Sequence, residues 1–472
     1  MRTNLTCVAV AMMSASVLAC GGGVAPSGAA PAANNDAGDE GGPVTTPVEA
    51  GVAMEAAAPP ADHGAPSTTY PAFPVTNGQL ANGGINMTAP IIVAITWNSD
   101  PSQAYYDTFA DELGGTSYWN KTSSEWGIGP VVGGTVNHVH IATAAPTTLA
   151  DSDLQSLVTT NAGVAGTGWP APTPNTIYAF FLAPGISLNL GSQGGGSGDA
   201  CSEGVGGYHD QVNVGAITTA YAVVDSCNLG ITSTAAQQTT ASMSHEINEA
   251  ASDPQPNSNA GGVIGFDNNS FAFDYFMLPL IQSFSAENGD ACEIYQSSFY
   301  EDIETTPAPF DYWVQRIWSN TSAAAGHDPC VPVSAAPYFN VTGLDLQTVN
   351  VNIPAQLTGT TTQQQPTKGY KVLAGTTGTF QVGFYSDAAT APWKISVDAN
   401  NPLVPPGQGG MGNFNTSSVT ASLDKTSGQN GEKAYVTVKV ATSGSTFKGE
   451  TITITSSLNG VDHYMPIWIA GE

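Results

Sequence analysis

Apolar positions fall into two regimes along the chain. Residues 90–97 (PIIVAITW), 175–182 (NTIYAFFL) and 220–225 (AYAVVD) are nearly unbroken apolar runs. Such runs predict strands buried on both faces. Between them, residues 102–113 carry Tyr105, Tyr106, Phe109 and Leu113 at helical spacing. Residues 149–160 predict a second helix, begun by Asp151 and Asp153, acids that suit a helix N-terminus. Residues 135–142 are strand-like, and 232–252 predict a long helix with a polar face. The alternation predicts an α/β or zincin-like α+β domain around a mixed sheet, spanning residues 88–333. After 334 the pattern changes to short β-branched runs at 339–351, 379–385, 393–397, 418–423, 434–441, 451–456 and 463–470. These predict an all-β immunoglobulin-like sandwich over 334–472, with an accessory role in spacing, binding or stabilising.

The N-terminus reads differently. Residues 1–19 form a signal peptide, with Arg2 the only base before a short apolar run. The run ends in Val17-Leu18-Ala19-Cys20-Gly21, which resembles a bacterial lipobox, so Cys20 is the expected lipidation site. Residues 20–87 are crowded with Ala, Pro and Gly and contain no Lys or Arg, the composition of a disordered tether. The expected setting is export to a bacterial cell envelope, on the outer membrane or cell surface, with a lipid tail as the only membrane anchor.

Composition sharpens this. Charged residues are only 10 % of the chain, yet 38 acids face 10 bases, a net charge of −28. Residues 90–333 hold 24 of the acids and just two bases, Lys121 and Arg316. Nucleic acid is excluded as a partner, because neutralising phosphates requires clustered Lys or Arg. Once the signal and Cys20 are set aside, Cys201, Cys227, Cys292 and Cys330 remain, an even number in an oxidising setting. Four cysteines allow three pairings; proximity in sequence favours Cys201–Cys227 and Cys292–Cys330.

The chemistry concentrates in the predicted helix at 232–252. It contains Ser244-His245-Glu246-Ile247-Asn248-Glu249, with Asp253-Pro254 at its end. Residues four apart share a helix face, so His245 and Glu249 point at one locus with Glu246 beside them. This is the geometry of the HExxH zinc helix, in which the first Glu activates the metal-bound water, with the second His replaced by Glu. Asp253 lies two turns beyond His245. Some 34 residues later comes Glu287-Asn288-Gly289-Asp290-Ala291-Cys292. The expected ligands are His245, Glu249, Asp253 and Glu287, with Glu246 as catalytic base and Asp290 and His209 behind them. The helix geometry favours Zn2+; the carboxylate-rich donor set also suits Ca2+ or another divalent cation. His209 is expected in a loop, with a structural role weighing somewhat more. His138, His140 and His463 read as structural and His327 as surface. Asp267, Asn268, Asn269 and Asp274 read as turn residues that could also serve a calcium site.

Residues 90–330 resemble the phosphate-induced protein 1 (EXORDIUM-like) family. The resemblance rests on the strand ending at Trp97, Ser124-Glu125-Trp126, the strand at 175–182, Cys201 through Tyr208-His209, the strand at 220–224 and the helix ending at Asp253-Pro254. It implies an extracellular, wall-associated protein without established catalysis. The plant members lack the His-Glu pair at 245–246. The pattern of His245, Glu246, Glu249, Asp253, Glu287, Asp290 and Cys292 looks like that of a zincin-type metallopeptidase. Two functions therefore stand as expectations. One is a metal-dependent peptidase acting on a peptide or cell-surface polymer substrate. The other is a non-catalytic surface protein that binds glycan, wall or protein and keeps a structural metal.

Overall fold

The structure, a computed structural model, describes residues 77–78, 85–132, 137–190, 199–203, 205–228, 233–258, 263–265, 286–293, 298–305, 309–334, 336–353, 363–399, 418–442 and 449–471. The expected signal segment, Cys20 and nearly all of the expected tether lie outside these residues. Five strands make the central sheet: β1 (Ile91–Trp97), β2 (His138–Ile141), β3 (Thr176–Phe181), β4 (Gly207–Val214) and β5 (Ile217–Val224). Their spatial order is β2-β1-β3-β5-β4. The first four are parallel. β4 closes one edge antiparallel to β5.

Two-residue alternation explains the unbroken apolar runs. Ile92, Ala94, Ile177, Ala179, Phe181, Ala220 and Ala222 feed one core. Their neighbours Val93, Ile95, Tyr178, Phe180, Tyr221 and Val223 feed another on the opposite face. A strand that must be apolar on both sides cannot alternate with polar residues. Helices α1 (Gln103–Glu112), α2 (Ser117–Ser123), α3 (Asp151–Asn161) and α4 (Ala235–Ser252) cover the sheet. α1 and α4 pack on the first face through Tyr106, Phe109, Met243, Ile247 and Ala251, and α3 on the other through Leu154 and Val158. Asp153 accepts from the Ala150 N–H at 2.9 Å, so the acids at the start of α3 satisfy an orphan donor.

A hairpin of β6 (Phe299–Glu304) and β7 (Phe310–Gln315) lies over α4. Phe310, Tyr312 and Val314 join the same core as α4. The helix is thus held between sheet and hairpin, and every residue from Gln238 to Ser252 is buried. The polar face expected of this helix points into the protein, and the helix begins at Ala235 rather than at 232. Two further corrections concern local structure. His209 sits in strand β4 rather than a loop. Leu149 belongs to a short strand, Thr148–Ala150, and the helix begins only at Asp151.

The cysteines pair as Cys201–Cys227 and Cys292–Cys330. Beyond residue 338, a four-stranded antiparallel sheet and a six-stranded sheet enclose a third core around Phe380, Val382, Phe384, Trp393, Ile452 and Ile467. The run at 339–351 is two strands, Phe339–Gly343 and Gln347–Ile353, in different sheets. The polar strand Gln363–Lys371, which contains Pro366, carries no apolar signature and was not anticipated. His463 is buried against the rings of Tyr338 and Phe339. No helix among the described residues is long and apolar enough to cross a membrane.

Candidate metal centre

Three segments converge, α4 among them. The helix starts at a capping box, in which Thr234 Oγ1 accepts from Gln237 N–H and Gln237 Oε1 accepts from Thr234 N–H. It runs to Asp253, where Pro254 forbids continuation. His245 and Glu249, one turn apart, and Glu246 beside them leave its polar side. The edge strand β4 supplies His209, paired opposite Ala222 of β5. The third segment is Ala286–Glu287, the Asn288-Gly289 turn and the short helix Asp290–Glu293. Trp318 N–H donates to the Asn288 carbonyl at 2.8 Å, and Gln315 Nε2 donates to the Gly289 carbonyl at 3.0 Å. The Cys292–Cys330 bond anchors the same segment.

The structure brings all seven expected site residues together: His209, His245, Glu246, Glu249, Asp253, Glu287 and Asp290. The first six are at most 1 % exposed and Asp290 is 9 % exposed. His245 Nε2 lies 2.9 Å from Glu249 Oε2 and 3.8 Å from Asp290 Oδ1. His209 Nδ1 lies 3.8 Å from Glu246 Oε2 and 3.7 Å from Glu249 Oε2. Its Nε2 is 3.7 Å from Glu287 Oε1 and 3.2 Å from the Asp253 carbonyl oxygen. Glu249 Oε1 accepts from the Gly289 and Asp290 N–H groups at 3.1 and 3.2 Å. Asp290 Oδ2 accepts from Glu287 N–H at 2.9 Å.

Burial and mutual repulsion set the charges. Burial, then the carboxylates of Glu249 and Glu287, pushes Glu246 well above the usual carboxylate range. Glu249 and Glu287 are pushed up for the same reasons. Burial, then the neighbouring His245, drives the His209 imidazole down to about 3. Burial also lowers His245. Both imidazoles are therefore neutral at pH 7, the form that ligates metals. The two basic residues of residues 90–333 lie elsewhere: Lys121 is exposed, and Arg316 stacks on the Tyr300 ring at 4.1 Å. Among the described residues, no hydrogen bond reaches His209 Nδ1 or either oxygen of Glu246. Buried polar atoms with no partner are costly. A divalent cation would satisfy them and offset the carboxylate charge. Three overlapping sets have ligand atoms within 4.8 Å of one another: His209–Asp253–Glu287, His209–Glu246–Glu249 and His245–Glu249–Asp290. The buried His/Asp/Glu cluster can hold a metal ion.

The sequence expectation separated Glu246 from the ligands. In the structure Glu246 stands within one ligand set, with His209 and Glu249. His209, held in the background by sequence, belongs to two of the three sets. Two glycines of the centre were missed. A Cβ on Gly289 would lie 2.7 Å from both His245 Nδ1 and Glu249 Oε1, and one on Gly207 would lie 2.7 Å from Glu246 Oε1. Gln315 and Ser244 were also missed; Ser244 Oγ accepts from Gln315 N–H at 2.9 Å, tying helix to hairpin. The signal for Gly289 was its position between Glu287 and Asp290; Gln315 carried none. His138 and His140 lie apart from the cluster, facing Asp111 and Asp107 at 3.0 and 2.9 Å. Cys201 and Cys227 also lie near Asp225, but their sulfurs are bonded to each other and offer no thiolate. Asp267, Asn268, Asn269 and Asp274 lie outside the described residues. The chain matches no protein-family model and no curated protein.

Proposed function

We propose that residues 88–333 form a divalent-cation domain of an exported protein, in which the cation joins α4, β4 and the Glu287–Asp290 segment. One observation carries this reading. Neutral imidazoles and carboxylate oxygens converge in a buried space, and among the described residues neither oxygen of Glu246 nor His209 Nδ1 has a hydrogen-bond partner. Complete burial of these donors suits a cation that organises the fold. The lipobox at Cys20 and the acidic tether support display at a cell envelope. The EXORDIUM-like resemblance supports a binding role there, with the immunoglobulin-like sandwich as accessory module.

A second reading is metal-dependent peptide hydrolysis, and the two partnerless oxygens of Glu246 favour it. In this reading His245, Glu249 and Asp290, one of the mutually close sets, would hold Zn2+, which supplies an activated water. Glu246 would accept that water's proton and pass it to the leaving amine.

Elemental analysis of the full chain, with thermal unfolding before and after chelation, tests the first reading. Retained metal and a lower Tm after chelation are expected. A ligand at about 100 times its Kd stabilises by about 2.7 kcal/mol. Absence of metal, or an unchanged Tm after its removal, overturns the proposal. A peptide-library assay decides the second: cleavage that Glu246→Gln abolishes while metal content persists establishes hydrolysis, and no cleavage by the metal-loaded native chain rejects it.

A further inference from the structure

We infer that the cluster holds two divalent cations, with Glu249 Oε2 shared between them. This deepens the metal-binding reading above and rests on it.

The two imidazoles separate the sites. His209 groups with Glu246 and Glu249, and His245 groups with Glu249 and Asp290; no set of mutually close ligand atoms contains both histidines. Around a single tetrahedral ion with bonds of about 2.0–2.1 Å, ligand atoms stand only about 3.4 Å apart. A single ion bound by both rings would place their ligand nitrogens in one set. Glu249 is the member that the two sets share.

Hydrogen bonds fix which atoms can ligate. Glu249 Oε1 already accepts two backbone N–H groups, from Gly289 and Asp290. That turns Oε2 toward the imidazoles, 2.9 Å from His245 Nε2 and 3.7 Å from His209 Nδ1. On His209, Nε2 is 3.2 Å from the Asp253 carbonyl, which can only accept, so Nε2 carries the proton and donates. The lone pair is then on Nδ1, which has no hydrogen-bond partner and faces Glu246 and Glu249. A carbonyl that fixes the tautomer of a ligating ring is a recurrent arrangement at metal sites. In the remaining set, His209–Asp253–Glu287, Glu287 Oε1 stands 3.7 Å from His209 Nε2, the nitrogen that the Asp253 carbonyl engages. This set therefore does not define a third independent ion.

Charge favours the same stoichiometry. Glu246, Glu249 and Asp290 face the two rings, and Asp253 and Glu287 adjoin them. Ionised, these carboxylates leave a buried charge of −3 about one divalent cation, but only −1 about two. Bridged pairs with ions about 3.5–4 Å apart are an established use of shared carboxylates. One imidazole with several carboxylates per ion points to first-row divalent metals such as Mn2+ or Zn2+.

The experiment loads the metal-stripped full chain with Mn2+ and, separately, Zn2+. Metal per chain is measured after desalting, and the Mn2+ form is examined by electron paramagnetic resonance. Two ions per chain and an exchange-coupled Mn2+ spectrum are expected. His209→Ala and His245→Ala are each expected to halve the metal content and to leave the spectrum of an isolated ion, with circular dichroism confirming that each variant folds. A variant that fails to fold leaves the decision to the native chain's stoichiometry and coupling. One ion per chain, or two that are uncoupled, overturns the shared-oxygen pair while the metal-binding reading stands. No retention of either metal overturns both.

Discussion

At the scale of single residues, the centre depends on two positions that have no side chain. Gly289 and Gly207 press their backbones against His245, Glu249 and Glu246 so closely that a methyl group has no room. Gly289→Ala is expected to displace the ligands, lower metal content and cost about 1–3 kcal/mol, the usual range for overpacking. Gly115→Ala, where a Cβ meets nothing within 4 Å, is the control and should bind metal normally. Normal metal content in Gly289→Ala would sink the packing argument. A different residue sets a pH dependence. Asp225 is 4 % exposed, and burial lifts its carboxyl to about 6 from an ordinary 3.8. Between those values the folded chain holds a proton that the unfolded chain has released. Stability therefore falls as pH rises from about 4 to about 6, by at most about 3 kcal/mol. Asp225→Asn removes this loss, so its Tm should exceed that of the native chain at pH 7 and match it more closely at pH 4. Parallel Tm curves for the two proteins across that range would exclude the assignment.

Elements show where the sequence was informative and where tertiary packing took over. β1, β3 and β5 were legible because burial on both faces demands unbroken apolar runs. β4 (GYHDQVNV) was not, because its polar residues alternate with too few apolar ones, and its identity comes from pairing with β5. That is why His209 read as a loop residue. The same limit applies to α4. His245, Glu246 and Glu249 were legible from one-turn spacing, but a polar helix face looks identical whether water or a hairpin covers it. Nothing local in 299–315 announced that β6 and β7 would lie there. The start of α4 is local and testable. Thr234→Ala removes the oxygen that accepts from Gln237 N–H and should cost about 1 kcal/mol. At about 2–4 °C per kcal/mol, the loss is measurable by calorimetry. An unchanged Tm would mean that packing between sheet and hairpin alone holds the first turn.

Across the whole molecule, the centre is assembled from segments far apart in sequence, and covalent bonds limit how far they can separate. The Cys292–Cys330 bond spans 38 residues, and that loop contains the entire β6–β7 hairpin that covers α4. Its first cysteine lies two residues after Asp290; its second belongs to a strand paired with Ile317–Trp318. Trp318 in turn donates to the Asn288 carbonyl beside Gly289. Just beyond, Asp387, the residue after the C-terminal strand Thr377–Ser386, accepts from Asp328 N–H at 3.1 Å and Tyr338 N–H at 2.8 Å, bracing the same end of the loop. Closing a loop of this length removes about 4 kcal/mol of unfolded-chain entropy on the chain-entropy account. Replacing both cysteines by serine should therefore destabilise the fold by about 2–5 kcal/mol. It should also loosen the Glu287–Asp290 segment, because the bond fixes the segment directly. The two effects separate by measurement: denaturant unfolding reads the first, and metal affinity of the still-folded double variant at low temperature reads the second. Lower stability with weaker metal binding is the expected pair. Lower stability with native affinity would show that Gln315, Trp318 and the glycine turn hold the ligands without the disulfide.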